Sequence, residues 1–337
     1  MGKQAGRTGA GQRAAVAGPG LPGGRVTGAA LKPLVPGMRW LLLIAAMLVL
    51  LAGVQLFVFT ERSSTYFAWT IVNPLAAAFL GASYWASVSI EALAGRQRVW
   101  ANARIAVPAI LVFTVLTLVA TLLNLDKLHL GSGFSAGTRA VTWAWIAIYV
   151  LVPLLMLIVL TVQARTPGVD PPRLAVLPRS VCALLAMQAV VLLGLGVALF
   201  AVPEGASAAW PWKLTPLLSM ATGAWLISLG VAATHALVER DARRLRPAAV
   251  GYVTLVVLQS VSLARYPGQF HWASGSGVIY LIVLATMLVV GTAALAQGFR
   301  QSLSRRRRSD GSHEDLSQAG LATVRAAFRA ASMRCLS

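Results

Sequence analysis

The sequence predicts an all-α integral membrane protein: eight transmembrane helices arranged as two parallel four-helix repeats, with both termini on the cytoplasmic side. Three observations predict it: the composition, the placement of the basic residues, and a self-similarity at a fixed offset. Of 337 residues, 57% are hydrophobic and 12% charged, well outside the range of a soluble domain. Apolar runs long enough to cross a ~30 Å hydrocarbon core recur along the chain, separated by short polar stretches. Eight are legible, at 40–60, 67–92, 104–125, 140–162, 180–202, 212–236, 248–266 and 277–297. Helices are the expected form, because backbone polar groups in lipid must be satisfied within the segment and no alternating barrel pattern is present.

The net charge of +19 raises the question of nucleic acid, and the placement of the charges answers it. With a cytoplasmic N-terminus, the two tails and the connections 93–104, 163–179 and 237–247 carry 24 of the 29 Lys and Arg. The opposite side holds Arg62, Lys127, Arg139, Lys213 and Arg265. This is the positive-inside asymmetry, and it predicts a plasma-membrane protein facing an anionic cytoplasmic leaflet. No basic surface interleaved with aromatics is apparent, so nucleic acid is not an expected partner. Cys182 and Cys335 both fall toward the cytoplasmic side without metal-type spacing, which argues against a structural disulfide. The abundance of Arg over Lys with Ala, Gly, Leu and Val suits a high-GC bacterial genome.

The regions follow from these spans. Residues 1–37 are rich in Gly, basic and free of acidic residues, a composition expected to stay disordered. The following run reads as an anchor rather than a cleaved leader, and Met38 offers an alternative start. The first four-helix unit is placed at 38–165, a cytoplasmic linker at 166–179, the second unit at 180–300 and a basic tail at 301–337. In that tail "RRRR" at 305–308 pins the last helix, and Leu321, Val324, Phe328 and Ala331 share one face of a basic amphipathic helix suited to an anionic leaflet.

The duplication is read by shifting the chain 142 residues. "HLGSG" at 129–133 then falls on "HWASG" at 271–275, Pro74 on Pro216, and Gly81-Ala82 on Gly223-Ala224. One residue of adjustment before the proline aligns Glu61 with Glu204 and Trp69 with Trp212. Four helices per unit is an even number, so both halves share one orientation and the pseudo-two-fold axis runs along the membrane normal.

The repeated residues are the candidate site. Glu61, His129, Glu204 and His271 are expected at the extracytoplasmic helix ends, where carboxylates and imidazoles suit a transition metal or haem. The plainer reading has the histidines capping helices or bonding loop carbonyls. Trp69 and Trp212, with Trp143, Trp145, Trp210 and Trp272, read as an aromatic belt at headgroup level. Pro74 and Pro216 lie in the outer turns of their helices, where a lost N–H is tolerated, and read as shape-setters rather than hinges. Small residues around Gly81, Ala82, Gly223 and Ala224 predict close packing of helices 2 and 6, against each other across the axis. No ionisable group is expected near the midplane; Glu91 and His235 fall at cytoplasmic ends. Walker, HExxH and CxxC patterns are absent, and enzymatic chemistry is less expected than binding. The favoured role is a carrier or binding protein for an apolar or amphiphilic small molecule between the two repeats. A membrane redox or metal/haem-binding subunit and a non-catalytic assembly subunit are the alternatives. The cofactor is left unknown, and self-association or partner subunits are left open.

Overall fold

A computed structural model describes residues 30–301; the amphipathic-tail prediction and most of the N-terminal tail lie outside the described residues. Eight long helices carry this part of the chain: α1 Pro36–Gly53, α2 Pro74–Gly95, α3 Ala106–Leu123, α4 Ala136–Arg165, α5 Arg179–Ala201, α6 Pro216–Glu239, α7 Arg246–Arg265 and α8 Gly275–Gln301. Among the described residues there are isolated bridges but no strand. Seven of the eight, all but α2, are long and apolar enough to cross a membrane, which makes this a helical, membrane-embedded, multi-pass protein. α2 has the length but not the hydropathy, because Ser83, Tyr84, Trp85, Ser87, Ser89 and Glu91 interrupt its apolar residues.

The exception has a physical cause. α2 and α6 are the enclosed helices of the bundle: α6 buries 72% of its central window against 22% for α4. Lipid-facing surface demands Leu, Val and Ile, whereas a helix walled by protein can use small and polar residues that neighbouring helices satisfy. α2 packs on α1 and α7, and α6 packs on α5 and α3. α2 and α6 themselves barely touch, so the expectation that their small-residue faces meet each other is corrected. Gly81 lies against the backbone of the α1 extension, where an added Cβ would stand 2.4 Å from Phe57 N. Gly223 lies against α5, where a Cβ would stand 2.7 Å from Gly196 O and 2.8 Å from Phe200 N. Ala82 and Ala224 are fully buried on the same helices. Each enclosed helix therefore presses its glycine on the helix that precedes it in sequence.

Helix starts follow local chemistry. Pro74 and Pro216 occupy the first positions of α2 and α6, where a missing N–H costs nothing. The residue before each proline caps the helix: Asn73 Oδ1 accepts from Ala76 N at 3.2 Å, and Thr215 Oγ1 accepts from Leu218 N at 3.4 Å. These starts correct the spans expected at 67–92 and 212–236, because a proline fixes φ for a helix start and biases its predecessor toward extended backbone. The Ser135 and Ser274 hydroxyls cap α4 and α8 through Thr138 N at 3.1 Å and Gly277 N at 3.0 Å. α1 ends in a π-helical turn, Val54–Val58, beside the point where Trp85 Nε1 donates to Leu50 O at 3.1 Å.

Connections gather at two opposite ends. At one end Lys32 N donates to Val169 O at 3.0 Å, Leu34 N to Arg98 O at 2.9 Å and Leu177 N to Arg240 O at 3.1 Å. Residues 30–35 are thus extended and paired, and Gln163 holds them by accepting from Val35 N at 2.9 Å and donating to Pro33 O at 3.0 Å. That corrects the placement of 30–37 in a disordered tail. Leu34, Val35 and Met38 have apolar neighbours to bury against. At the other end the connections 59–73, 124–135, 202–215 and 266–274 meet one another.

Candidate functional site

His129 is buried, and each ring nitrogen has a protein partner: Nδ1 with Phe67 O at 2.9 Å and Nε2 with Thr70 Oγ1 at 2.9 Å. Its backbone N donates to Ala68 O at 3.0 Å. The ring therefore staples the loop before α2 to the loop after α3 by bonding a loop carbonyl. At the corresponding place His271 N donates to Pro211 O at 2.9 Å, while the ring is exposed. Ser274 caps α8, as described above, and its hydroxyl also bonds His271 O at 2.7 Å. Glu61 and Glu204 lie exposed on short helical turns, Thr60–Arg62 and Pro203–Ser207. Among the described residues no three His, Cys, Asp or Glu are grouped so as to hold a metal ion. With both His129 nitrogens already bonded, the structure does not bring the four predicted residues into one ligand set.

The tryptophans need a correction. Trp143 and Trp272 are exposed, as a headgroup belt requires, but Trp69, Trp145, Trp210 and Trp212 are buried. Trp69 packs edge-on to Phe67 and Trp145 with ring centres at 4.5 and 5.0 Å. Trp212 packs against Trp210, Tyr280 and Phe79 at 5.1–5.4 Å. Edge-to-face aromatic packing at these separations favours burial inside the bundle over a place at its surface. Of the four buried indoles only that of Trp145 has a polar partner, Thr121 Oγ1 at 3.1 Å. The indole N–H of Trp69, Trp210 and Trp212 and the Tyr280 hydroxyl are buried without one, although a buried donor is normally satisfied.

Two of these unsatisfied groups border the main apolar cavity. It measures about 390 Å³ and lies between α2, α5, α6, α7 and α8. Phe79, Leu226, Leu255 and Met287 supply apolar wall, and Trp210, Gln259 and Tyr280 the polar rim. Gln259 Nε2 donates to Phe79 O at 3.1 Å and is accounted for. Trp210 Nε1 and Tyr280 Oη are not, and both belong to residues of the cavity wall. A volume within ~300–1,000 Å³ with apolar walls and few polar groups is the usual form of a small-molecule pocket.

A second, smaller cavity of about 70 Å³ lies between α1, α2, α3, α4 and α6. Glu91 of α2 lines it, 3% exposed, with Oε2 unpartnered. Placing Glu91 one turn from the end of its helix follows from the sequence, but its burial does not. The available signal was the lone acidic residue of an otherwise uncharged α2, a default functional candidate in a membrane helix.

Near the same end lies the opposite case, a satisfied cluster. Glu239 pairs with Arg104 and, at 2.7 Å, with Arg244; Asp170 accepts from Arg104 at 2.6 Å; His235 Nε2 lies 3.4 Å from Glu239. Burial works against the Arg104 charge, but Glu239 and Asp170 outweigh it and hold the guanidinium above its ordinary range. Asp241 accepts from Leu174 N at 2.7 Å and Ala175 N at 3.0 Å. These groups tie the basic connections together and leave no charge needing a ligand. No protein family, curated protein or solved structure matches this chain.

Proposed function

We propose that this protein is an eight-span membrane protein of two parallel four-helix repeats, with both termini cytoplasmic, acting as a carrier or binding protein for an apolar or amphiphilic small molecule. The observation that carries the ligand reading is the 390 Å³ apolar cavity with two unpaired buried donors, Trp210 Nε1 and Tyr280 Oη, at its rim. An amphiphile places its apolar body on the Leu and Phe wall and its acceptor oxygen on those donors. The cavity uses α2 of the first unit and α5 to α8 of the second, which fits a site between the halves.

Several paired features support the repeat. Asn73 and Thr215 cap equivalent helices, Gly81 and Gly223 press on equivalent partners, and His129 N and His271 N bond the equivalent carbonyls of Ala68 and Pro211. The packing also exchanges: helix 2 of the first unit meets helix 3 of the second, and helix 2 of the second meets helix 3 of the first. Two-fold related units pack in this reciprocal way.

The test is a thermal-shift titration of the purified full chain with fatty acids, sterols and neutral lipids, followed by flux of any binder in reconstituted vesicles. Saturable stabilisation is expected for molecules with an acceptor headgroup, and Tyr280→Phe should weaken it by ~5–10-fold, the loss of one buried hydrogen bond. Stabilisation by none of these, or binding as tight as wild type in both Tyr280→Phe and Trp210→Phe, would refute the assignment.

A further inference from the structure

We propose that the 70 Å³ cavity beside Glu91 is a binding site for a small organic ammonium ion. A carboxylate withdrawn from water is costly unless a positive partner or hydrogen bonds replace its hydration. Glu91 is 3% exposed, and its Oε2 has no partner. No Lys, Arg or His lines the cavity. With no counter-charge in the wall, a cation from outside the chain is the partner that would keep Glu91 ionised.

The rest of the wall selects the kind of cation. Thr114 Oγ1 donates its proton to Ile110 O at 2.9 Å, and Ser228 Oγ donates to Ala109 O at 2.9 Å. A hydroxyl that has donated its one proton offers lone pairs only, so both are acceptors toward the cavity. An ammonium group, which is all donor, complements that set. Ser87 adds a third hydroxyl, and Phe113, Tyr149 and Trp225 add aromatic faces to an otherwise aliphatic wall, with the Phe113 and Trp225 rings 4.0 Å apart and Tyr149 6.0 Å from Phe113. Aromatic faces beside a carboxylate attract weakly hydrated organic cations. A hard metal ion instead takes six or more oxygens, and among the described residues no group of acidic, His or Cys side chains gathers around Glu91. The volume limits the guest to a few heavy atoms.

This site is independent of the larger cavity, sharing with it the side chain of Leu229 alone. The experiment is isothermal titration of the detergent-purified full chain with methylammonium and tetramethylammonium chloride, against sodium chloride at equal ionic strength. Infrared difference spectra report the Glu91 carboxyl in parallel. Saturable binding of an organic ammonium but not sodium is expected, with growth of the carboxylate band. Glu91→Gln should weaken it by at least ~10-fold, while Tyr280→Phe, on the other cavity, leaves it unchanged. Binding equal in wild type and Glu91→Gln, or sodium binding in place of ammonium, overturns the proposal. So does a protonated carboxyl that persists at saturating ammonium. Should Glu91→Gln fail to fold, Phe113→Leu keeps the carboxylate and removes part of the wall; tetramethylammonium affinity unchanged in that variant also refutes the site.

Discussion

Gly194 and Gly196 stand two residues apart in α5 and meet opposite surroundings. An added Cβ finds nothing within 4 Å at Gly194, but at Gly196 it stands 2.8 Å from Ile227 N of α6. Gly194→Ala should therefore leave thermal stability in detergent unchanged or raise it by up to ~1 kcal/mol, the helix-propensity gain. Gly196→Ala, Gly81→Ala and Gly223→Ala should each lower it by ~1–3 kcal/mol, because backbone must move to admit the methyl group. Equal effects at 194 and 196 would contradict the close approach of α5 and α6. The pairing of Gly81 with Gly223 was legible as two small residues at one offset. The atoms they touch were not, since sequence spacing marks a small-residue face without naming its partner.

At the scale of elements, the starts of α2 and α6 depend on one side chain each. Asn73→Ala and Thr215→Ala remove the cap acceptor and should each cost about 1 kcal/mol, read as a lowered midpoint of thermal unfolding. Asn73→Asp should recover the loss; a midpoint unmoved by all three means these caps contribute nothing. The connections show a stronger dependence. Arg244 and Glu239 are 4% and 1% exposed and 2.7 Å apart. Glu239→Gln leaves a buried guanidinium short of its counter-charge and should cost ~3 kcal/mol or more. Lys127→Ala, breaking the solvated pair with Asp126, should be neutral. A Glu239→Gln variant as stable as Lys127→Ala would remove the structural role assigned to this cluster. Its residues come from three separate connections and the end of α6, so the positive-inside pattern grouped the basic ones but could not pair them.

For the whole molecule, the expected orientation is open to direct measurement. Gly131 and Gly268 have open space around an added Cβ, and Arg96 and Arg179 are exposed at the opposite end. In a Cys182→Ser/Cys335→Ser background, cysteines at 131 and 268 should react with a membrane-impermeant maleimide on intact cells. Cysteines at 96 and 179 should react only after permeabilisation. The reverse pattern refutes the N-in/C-in arrangement, and labelling of positions 131 and 268 from different sides refutes the eight-span count.

The sequence by itself determined the class of molecule, the number and approximate limits of its long helices, and the prolines that lie near the starts of α2 and α6. Those properties depend on summed hydropathy, on the φ restriction of proline and on short-range capping, all of which act within a few residues along the chain. Only the tertiary structure decided which faces met. It turned Trp69 and Trp212 inward, used up both nitrogens of His129 on loop atoms and left Glu61 and Glu204 in solvent. It also enclosed Glu91 beside aromatic rings contributed by three other helices. Burial and pairing are set by neighbours tens to hundreds of residues away, and periodicity along one helix carries no record of them.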